Sequence, residues 1–386
     1  MKFTRASALF FSIVLCKALC ATTWYGKDIA YLAAFKDPVV DLYIQLPLQH
    51  NPPLAGYGYS DGGCQRAHQA LANEVVTIVE RKGNLVKIAC DTVAYGHDEN
   101  TGKPLNTFWV HKKHLIFFKH LADEQLYAFP APQGATDTTL VLRLPWKQYS
   151  LGTRFVHAPE HDTEDVYGAL LVTPQHPHAI KVLQIPRFLA RLELPLTPQQ
   201  QRAHFVQLAY DIITYAKKDG ADRVIPYVWG GSSFVQGYED QKFVLHNRRW
   251  ERPGKRAPYN GYDCSELVFR LAQTSGIPYV CKTTVVIEKL LKPLSKTDAL
   301  EAGDLIRFPG HVMIVGNIAR NEVIEACGYG GGFGRVHVVP LSHRFQGIYT
   351  YKQLLRAYHK KQRLLLRARD GSEQGIIKKF TLHKLL

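Results

Sequence analysis

Tyr262-Asp263-Cys264-Ser265-Glu266-Leu267-Val268 is the stretch on which the reading of this chain turns. From it onward Cys264, Leu267, Val268, Leu271 and Ala272 recur at helical spacing, and Gly276 and Pro278 close the run. The spacing therefore predicts a helix that opens at Cys264 and turns the thiol towards the domain interior. Asp263 is the expected N-cap and Glu266 its capping-box partner. The positive end of the helix favours a thiolate at Cys264, whereas Asp263 and Glu266 push the other way. A reactive cysteine here needs a base.

His311 is the best candidate for it. This residue follows Gly310 and opens the apolar run Val312-Met313-Ile314-Val315, which ends in Gly316-Asn317, and a second run, Val323 to Ala326, returns after Asn321. With the turn centred near residue 318, His311 and Glu325 face each other across a hairpin. A carboxylate beside imidazole fixes the tautomer and stabilises imidazolium, which is the orienting role in a Cys-His-acid arrangement. His337, one strand further on, is the rival third member. Taken singly, a cysteine at a helix start is usually a small buried residue and one histidine among 17 is usually structural. It is the combination that points to catalysis.

Working outward, Thr197-Pro198 reads as an N-cap and first helical residue, with Phe205, Leu208, Ala209, Ile212, Ile213 and Ala216 at helical period up to about Lys218. Strands are expected at 304–308, 311–315, 323–326 and 336–339, giving an α+β domain over 196–350. Upstream, short β segments such as 74–80, 85–90, 108–110, 140–144 and 179–183 alternate with Gly, Pro and Asn. These suggest two small all-β barrels, 22–122 and 123–195. Residues 351–386 form a basic tail whose leucines permit an amphipathic helix.

With 386 residues, the chain has room for two to three domains. Its 46% hydrophobic and 21% charged residues are ordinary for a protein with a sizeable core. Lys and Arg number 48 against 33 Asp and Glu, and the net charge of +15 suits a polyanionic environment. Zinc-type cysteine spacing, a P-loop and a helix-turn-helix signal are all missing, so a nucleic-acid partner is unattractive. Met1-Lys2-Phe3-Thr4-Arg5, the apolar run Ala8–Leu15 and the small residues around Cys20-Ala21 have the layout of a secretory leader over 1–21. This implies an exported protein without an integral membrane span. Cys64 and Cys90 could then pair, leaving Cys264, Cys281 and Cys327 as an odd set.

Four stretches resemble the NlpC-type cell-wall cysteine peptidases, which are papain-like in fold: Pro226-Tyr227-Val228-Trp229-Gly230-Gly231, Tyr262-Asp263-Cys264-Ser265, Ala302-Gly303-Asp304-Leu305-Ile306, and Gly310-His311-Val312 to Gly316. The N-terminal half, through Gln69 to Val75, is similar to the bacterial SH3-like barrels that precede this domain in γ-D-glutamyl-L-diamino-acid endopeptidases. The resemblance implies hydrolysis of the γ-D-glutamyl–diamino-acid bond of peptidoglycan stem peptides by a monomer without metal or organic cofactor. Cys264 would be the nucleophile, His311 the base and Glu325 its orienter. Tyr227 and the Cys264 backbone N–H would hold the oxyanion, and Asp263, Ser265 and Glu74 would contact substrate, including a free L-Ala amine.

The chain departs from that pattern in four places, one of them the family's Tyr before the barrel Trp, which is not evident near Trp109. Glu266 stands where the family has Gly, and Lys282-Thr283-Thr284 stands where it has R-D-[AS]. The connection from Gly231 to Cys264 carries a basic, aromatic insertion at 234–259, a surface loop or a lid over the substrate. An endopeptidase acting on cross-linked wall, and a non-catalytic wall-binding protein, are the alternative readings.

Overall fold

The computed structural model describes residues 23–46, 66–98, 100–132, 138–173, 179–217, 224–235, 244–246, 249–251 and 261–386. The leader, Cys64 and most of the 234–259 insertion lie outside these residues. Of the insertion, Val244–His246 pairs with Arg249–Glu251 in a two-stranded ribbon.

The first half is built on two large antiparallel sheets, beside two short pairings, Thr23–Trp24 with Lys27–Asp28 and Gly96–His97 with Pro104–Leu105. Strands β1 (Leu32–Phe35), β2 (Val39–Tyr43), β3 (Arg66–Leu71), β4 (Val75–Lys82), β5 (Leu85–Ala89), β6 (Thr107–His111) and β7 (Leu115–Phe117) run in the order β7-β1-β4-β5-β6-β2-β3. A second sheet follows from β8 (Thr139–Leu142), β9 (Arg154–His157), β10 (Val166–Val172), β11 (Ile180–Pro186) and β12 (Ala190–Leu192), in the order β11-β10-β9-β8-β12. Among the described residues no pairing joins the edge strands β7 and β3, or β11 and β12, so the hydrogen bonding does not by itself show the closed barrels expected over 22–122 and 123–195.

Helix α1 (Pro198–Lys217) starts where its cap dictates: Thr197 Oγ1 accepts from the Gln200 N–H and the Gln200 side chain accepts from the Thr197 N–H. Its six expected apolar positions are all buried. Helix α2 (Cys264–Thr274) carries the nucleophile candidate and ends at Gly276, whose φ of +75° lets Ile277 N–H turn back to the Ala272 carbonyl. Helix α3 (Thr284–Leu290) follows. The third sheet contains β13 (Leu305–Phe308), β14 (His311–Val315), β15 (Glu322–Cys327) and β16 (Arg335–Pro340).

The last segment is not a solvated tail. After the short α4 (Leu341–Arg344), α5 (Tyr351–His359) buries Tyr351, Leu354 and Ala357, and β17 (Leu364–Arg367) pairs with β18 (Glu373–Ile377). Strand β19 (Thr381–His383) then joins the third sheet beside β13, giving the order β16-β15-β14-β13-β19. Leu382 is fully buried in that position, and burial of such a side chain contributes roughly 2 kcal/mol. The amphipathic helix expected here exists, but as one wall of a second apolar cluster with Ile306, Met313 and Phe345.

The first sheet and the half of the chain that carries Cys264 share one core. Phe35, Leu42 and Phe108 belong to the same apolar cluster as Phe205, Leu267 and Phe269. Strand β3 is the contact strand and is buried on both faces at almost every position. Its Gln69 carbonyl accepts from Ser232 Oγ at 2.7 Å, and its side-chain oxygen accepts from Ser232 N–H at 3.0 Å and Ser233 Oγ at 2.7 Å. Gly230 makes the approach possible. With φ at +66°, a Cβ there would stand 2.6 Å from the Arg66 carbonyl oxygen.

Candidate active site

Cys264 opens α2 and is 6% exposed. Asp263 caps the helix, its Oδ1 accepting from the Glu266 N–H at 2.8 Å and from Ser265 Oγ at 3.0 Å. Glu266 is not the reciprocal capping-box partner. Its side chain turns away from the cap, and Oε1 meets His68 Nδ1 at 2.6 Å and Lys282 Nζ at 2.9 Å. The negative charge that seemed to oppose a thiolate is therefore compensated by two partners inside the protein. Burial would push the Glu266 carboxyl up, but the charges of His68 and Lys282 hold it below its ordinary value.

His311 and Glu325 meet by a different register from the one expected. Ile314 pairs with Ile324 and Val315 with Val323, so the hairpin turns one residue later than residue 318. Glu325 is thus diagonal to His311 on the same face rather than opposite it. Its side chain spans the offset, and His311 Nε2 lies 2.7 Å from Glu325 Oε2. Directly across from Glu325, on β16, is His337, whose Nε2 lies 3.0 Å from Oε1. The carboxylate thus stands between the two histidines, and only His311 continues to the thiol. His311 also hydrogen-bonds the Cys264 side chain, which leaves Nδ1 for that contact.

Arg344 completes the arrangement, and nothing in the motif reading pointed to it. From α4 its Nε donates to Glu325 Oε1 at 2.5 Å, its Nη1 donates to the Arg367 carbonyl, and its Nη2 approaches Cys327 Sγ at 3.7 Å. The guanidinium lies 4.7 Å from the centroid of Phe333, which stacks on His337 at 4.4 Å. Burial would raise the Glu325 carboxyl, yet Arg344 first, then the hydrogen bonds of His311 and His337, hold it well below the carboxylate range.

For His311, burial alone would lower the pKa. The Cys264 sulfur beside it and the Glu325 hydrogen bond reverse that and bring it to about 9. A raised imidazole stabilises the fold fully below its ordinary 6.5, and this contribution is lost as pH rises through about 9. The same proton governs the base. If His311 serves Cys264 as a base, the rate of Cys264 alkylation or turnover should show a limb near pH 9 in a pH–rate profile. A limb near 6.5 would remove the coupling between His311 and its two partners.

Tyr227 is buried beside Tyr262 in a parallel bridge, two residues before the nucleophile, and its N–H donates to the Gly334 carbonyl at 2.9 Å. Ser265 is tied to the Asp263 cap. Glu74 is not aimed at Cys264: its Oε1 is held by Arg270 Nη1 at 2.6 Å, six residues along α2, which is roughly 9 Å of helix axis. Cys90, Cys281 and Cys327 are buried free thiols, so Cys90 makes no disulfide in this structure.

A thiol at a helix start, an imidazole on a neighbouring sheet and a carboxylate behind it make a Cys-His-Glu arrangement of the kind thiol chemistry requires. The fold is similar to that of an NlpC/P60 family protein from Bacillus cereus ATCC 10987, with a TM-score of 0.53 and 16% identity over 80% of this chain and 94% of that one. An NlpC/P60 endopeptidase from Photobacterium damselae subsp. piscicida matches at a TM-score of 0.44 and 11% identity, covering 92% of this chain and 73% of the other. No protein-family model matches the sequence, and no curated protein does. At these identities the likeness speaks for the fold. No helix among the described residues is long and apolar enough to cross a membrane.

Proposed function

We propose that the chain is an exported cysteine endopeptidase that hydrolyses the γ-D-glutamyl–diamino-acid amide of peptidoglycan stem peptides. The observation that carries this is the continuous contact from Cys264 through His311 to Glu325, built at the start of a buried helix. The bond and substrate class rest on the resemblance of the four motif stretches and on the NlpC/P60 fold.

In this mechanism His311 takes the thiol proton and the Cys264 sulfur adds to the γ-carbonyl of D-Glu, forming a C–S bond. The oxyanion lies at the positive end of α2, with the Cys264 N–H and the Tyr227 hydroxyl as donors. His311 returns its proton to the diamino-acid nitrogen as the C–N bond breaks. Water, deprotonated by His311, then adds to the thioester, and the sulfur leaves with the proton. Glu325 keeps the imidazolium oriented throughout, and Arg344 keeps Glu325 ionised.

The test is mass spectrometry of products from stem peptides and from intact sacculi, with Cys264→Ala as the control. We expect a new amine and a new D-Glu carboxylate, with a mass gain of one water, absent from the variant. Intact substrates in every reaction would move the assignment to a wall-binding protein.

A further inference from the structure

The positive charge of this chain gathers at its C-terminal end. Residues 351–386 carry ten Lys and Arg against Asp370 and Glu373, more than half of the net charge of +15. Two of the ten are paired: Lys384 Nζ lies 3.0 Å from Asp304 Oδ2, and Lys379 Nζ lies 3.8 Å from Glu288 Oε1. Lys352, Arg356, Lys360, Lys361, Arg363 and Lys378 are exposed and make no ion pair among the described residues. On α5 each residue turns by about 100°, so Lys352, Arg356 and Lys360 form one stripe, opposite the face that buries Tyr351, Leu354 and Ala357. The stripe continues past the helix. Leu364 pairs with Ile377, and one further step puts Arg363 beside Lys378. Like charges at i,i+4 and across a strand pair oppose each other, and an anion laid along them removes that repulsion.

This surface is separate from the thiol site. Alternate residues of β14 divide the third sheet between two cores. Val312 and Ile314 pack in the cluster that holds Leu267 and Phe269 of α2, whereas Met313 and Val315 pack with Leu354 and Ala357 of α5. The cations therefore look away from Cys264, on the other side of the sheet.

Spacing and shape select the partner. Four residues of helix advance about 6 Å, close to the roughly 7 Å that six bonds of extended chain span between phosphates joined by a three-carbon unit. A lipid surface fits less well, because the apolar side of α5 is used up in the core and leaves the helix nothing to insert. Nucleic-acid bases need aromatic platforms, and the one tyrosine between these cations, Tyr358, is turned to Phe380 and the Leu294 carbonyl. The geometry points to a docking surface along α5 for a linear phosphodiester polymer with a short polyol between its phosphates. Such binding tethers the protein to a polyanionic matrix and needs no thiol chemistry, so it stands apart from the peptidase reading.

The experiment measures Kd for fluorescently labelled poly(glycerol phosphate) by anisotropy over a salt series, with the full chain. Lys352→Gln/Arg356→Gln/Lys360→Gln is compared with Lys112→Gln/Lys113→Gln/Lys119→Gln, which removes the same charge from exposed positions beside the first sheet. The α5 variant should bind about 30- to 100-fold more weakly at low salt, and its slope of log Kd against log salt should fall by about 2 to 3. Its melting temperature should hold or rise, because like-charge neighbours have been removed. The second triple variant and Cys264→Ala should stay within about threefold of wild type. Equal losses in the two triple variants overturn the inference, since net charge alone then carries the binding. So does a wild type that fails to bind the polymer at low salt. Tighter binding of phosphatidylglycerol vesicles or single-stranded DNA at equal phosphate concentration overturns it as well, in favour of a membrane or a nucleic acid.

Discussion

Glu325→Gln is expected to lower kcat/KM by about 10³- to 10⁴-fold, with the protein still folded. The amide has the shape of the carboxylate but no charge. It also presents an N–H₂ group to partners that are themselves donors. His311 then loses the group that stabilises its imidazolium, and its pKa should fall from about 9 towards 6.5, so the alkaline limb moves down with it. Arg344, 1% exposed and paired with this one carboxylate, would be left as a buried charge, at a cost of about 3–5 kcal/mol. That penalty has to be separated from catalysis. Glu325→Gln/Arg344→Met removes both charges, so its melting temperature should recover while kcat/KM stays low. Activity within tenfold of wild type in a folded Glu325→Gln protein would remove Glu325 from the mechanism.

The second large effect is on stability. His68→Ala removes from β3 the group that meets Glu266 Oε1 at 2.6 Å, in a place where both side chains are 99% or more buried. Lys282 alone cannot satisfy that carboxylate, and breaking a buried pair typically costs about 3–5 kcal/mol. Packing is lost too, since the imidazole lies edge-on to Phe269 at 5.4 Å. The contact crosses from the first sheet to the nucleophile helix, so the loss should appear as weakened cohesion between these halves. Differential scanning calorimetry is expected to resolve two transitions where the wild type gives one. Adding Glu266→Gln should restore most of the stability, because it removes the orphaned charge. An unchanged thermogram in His68→Ala would show that Lys282 alone carries Glu266.

What could be read from the residues beforehand was what repeats locally. The α1 cap at Thr197, the apolar face of α2 and the strands on either side of Asn317 are all set by neighbours within a few positions. Even the meeting of His311 with Glu325 was accessible from spacing, although the turn lies one residue later, the register is two residues off and only a flexible side chain spans the offset. The groups that spacing missed are those paired over long separations. His68 with Glu266 and Glu74 with Arg270 are nearly 200 residues apart, and neither pair leaves a periodic trace. Glu266 therefore looked like an unbalanced charge, and Lys282 like a departure from a motif. Arg344 sits in a four-residue helix too short to show a face. The excess of basic residues was read as suiting a polyanionic environment, yet Arg66, Arg270, Lys282, Arg307 and Arg344 are buried inside the fold.

Strand β19 bears on more than the architecture of the sheet. Its neighbour β13, Leu305–Phe308, is buried at every position and pairs with it from over 70 residues away. So large a sequence separation makes that contact a late one to form. Without β19, β13 becomes an unprotected apolar edge with its N–H and C=O groups free to recruit another chain. Damage near residues 381–383 should therefore show first as loss of solubility, with particles forming by light scattering before the protein still in solution loses the geometry around Cys264.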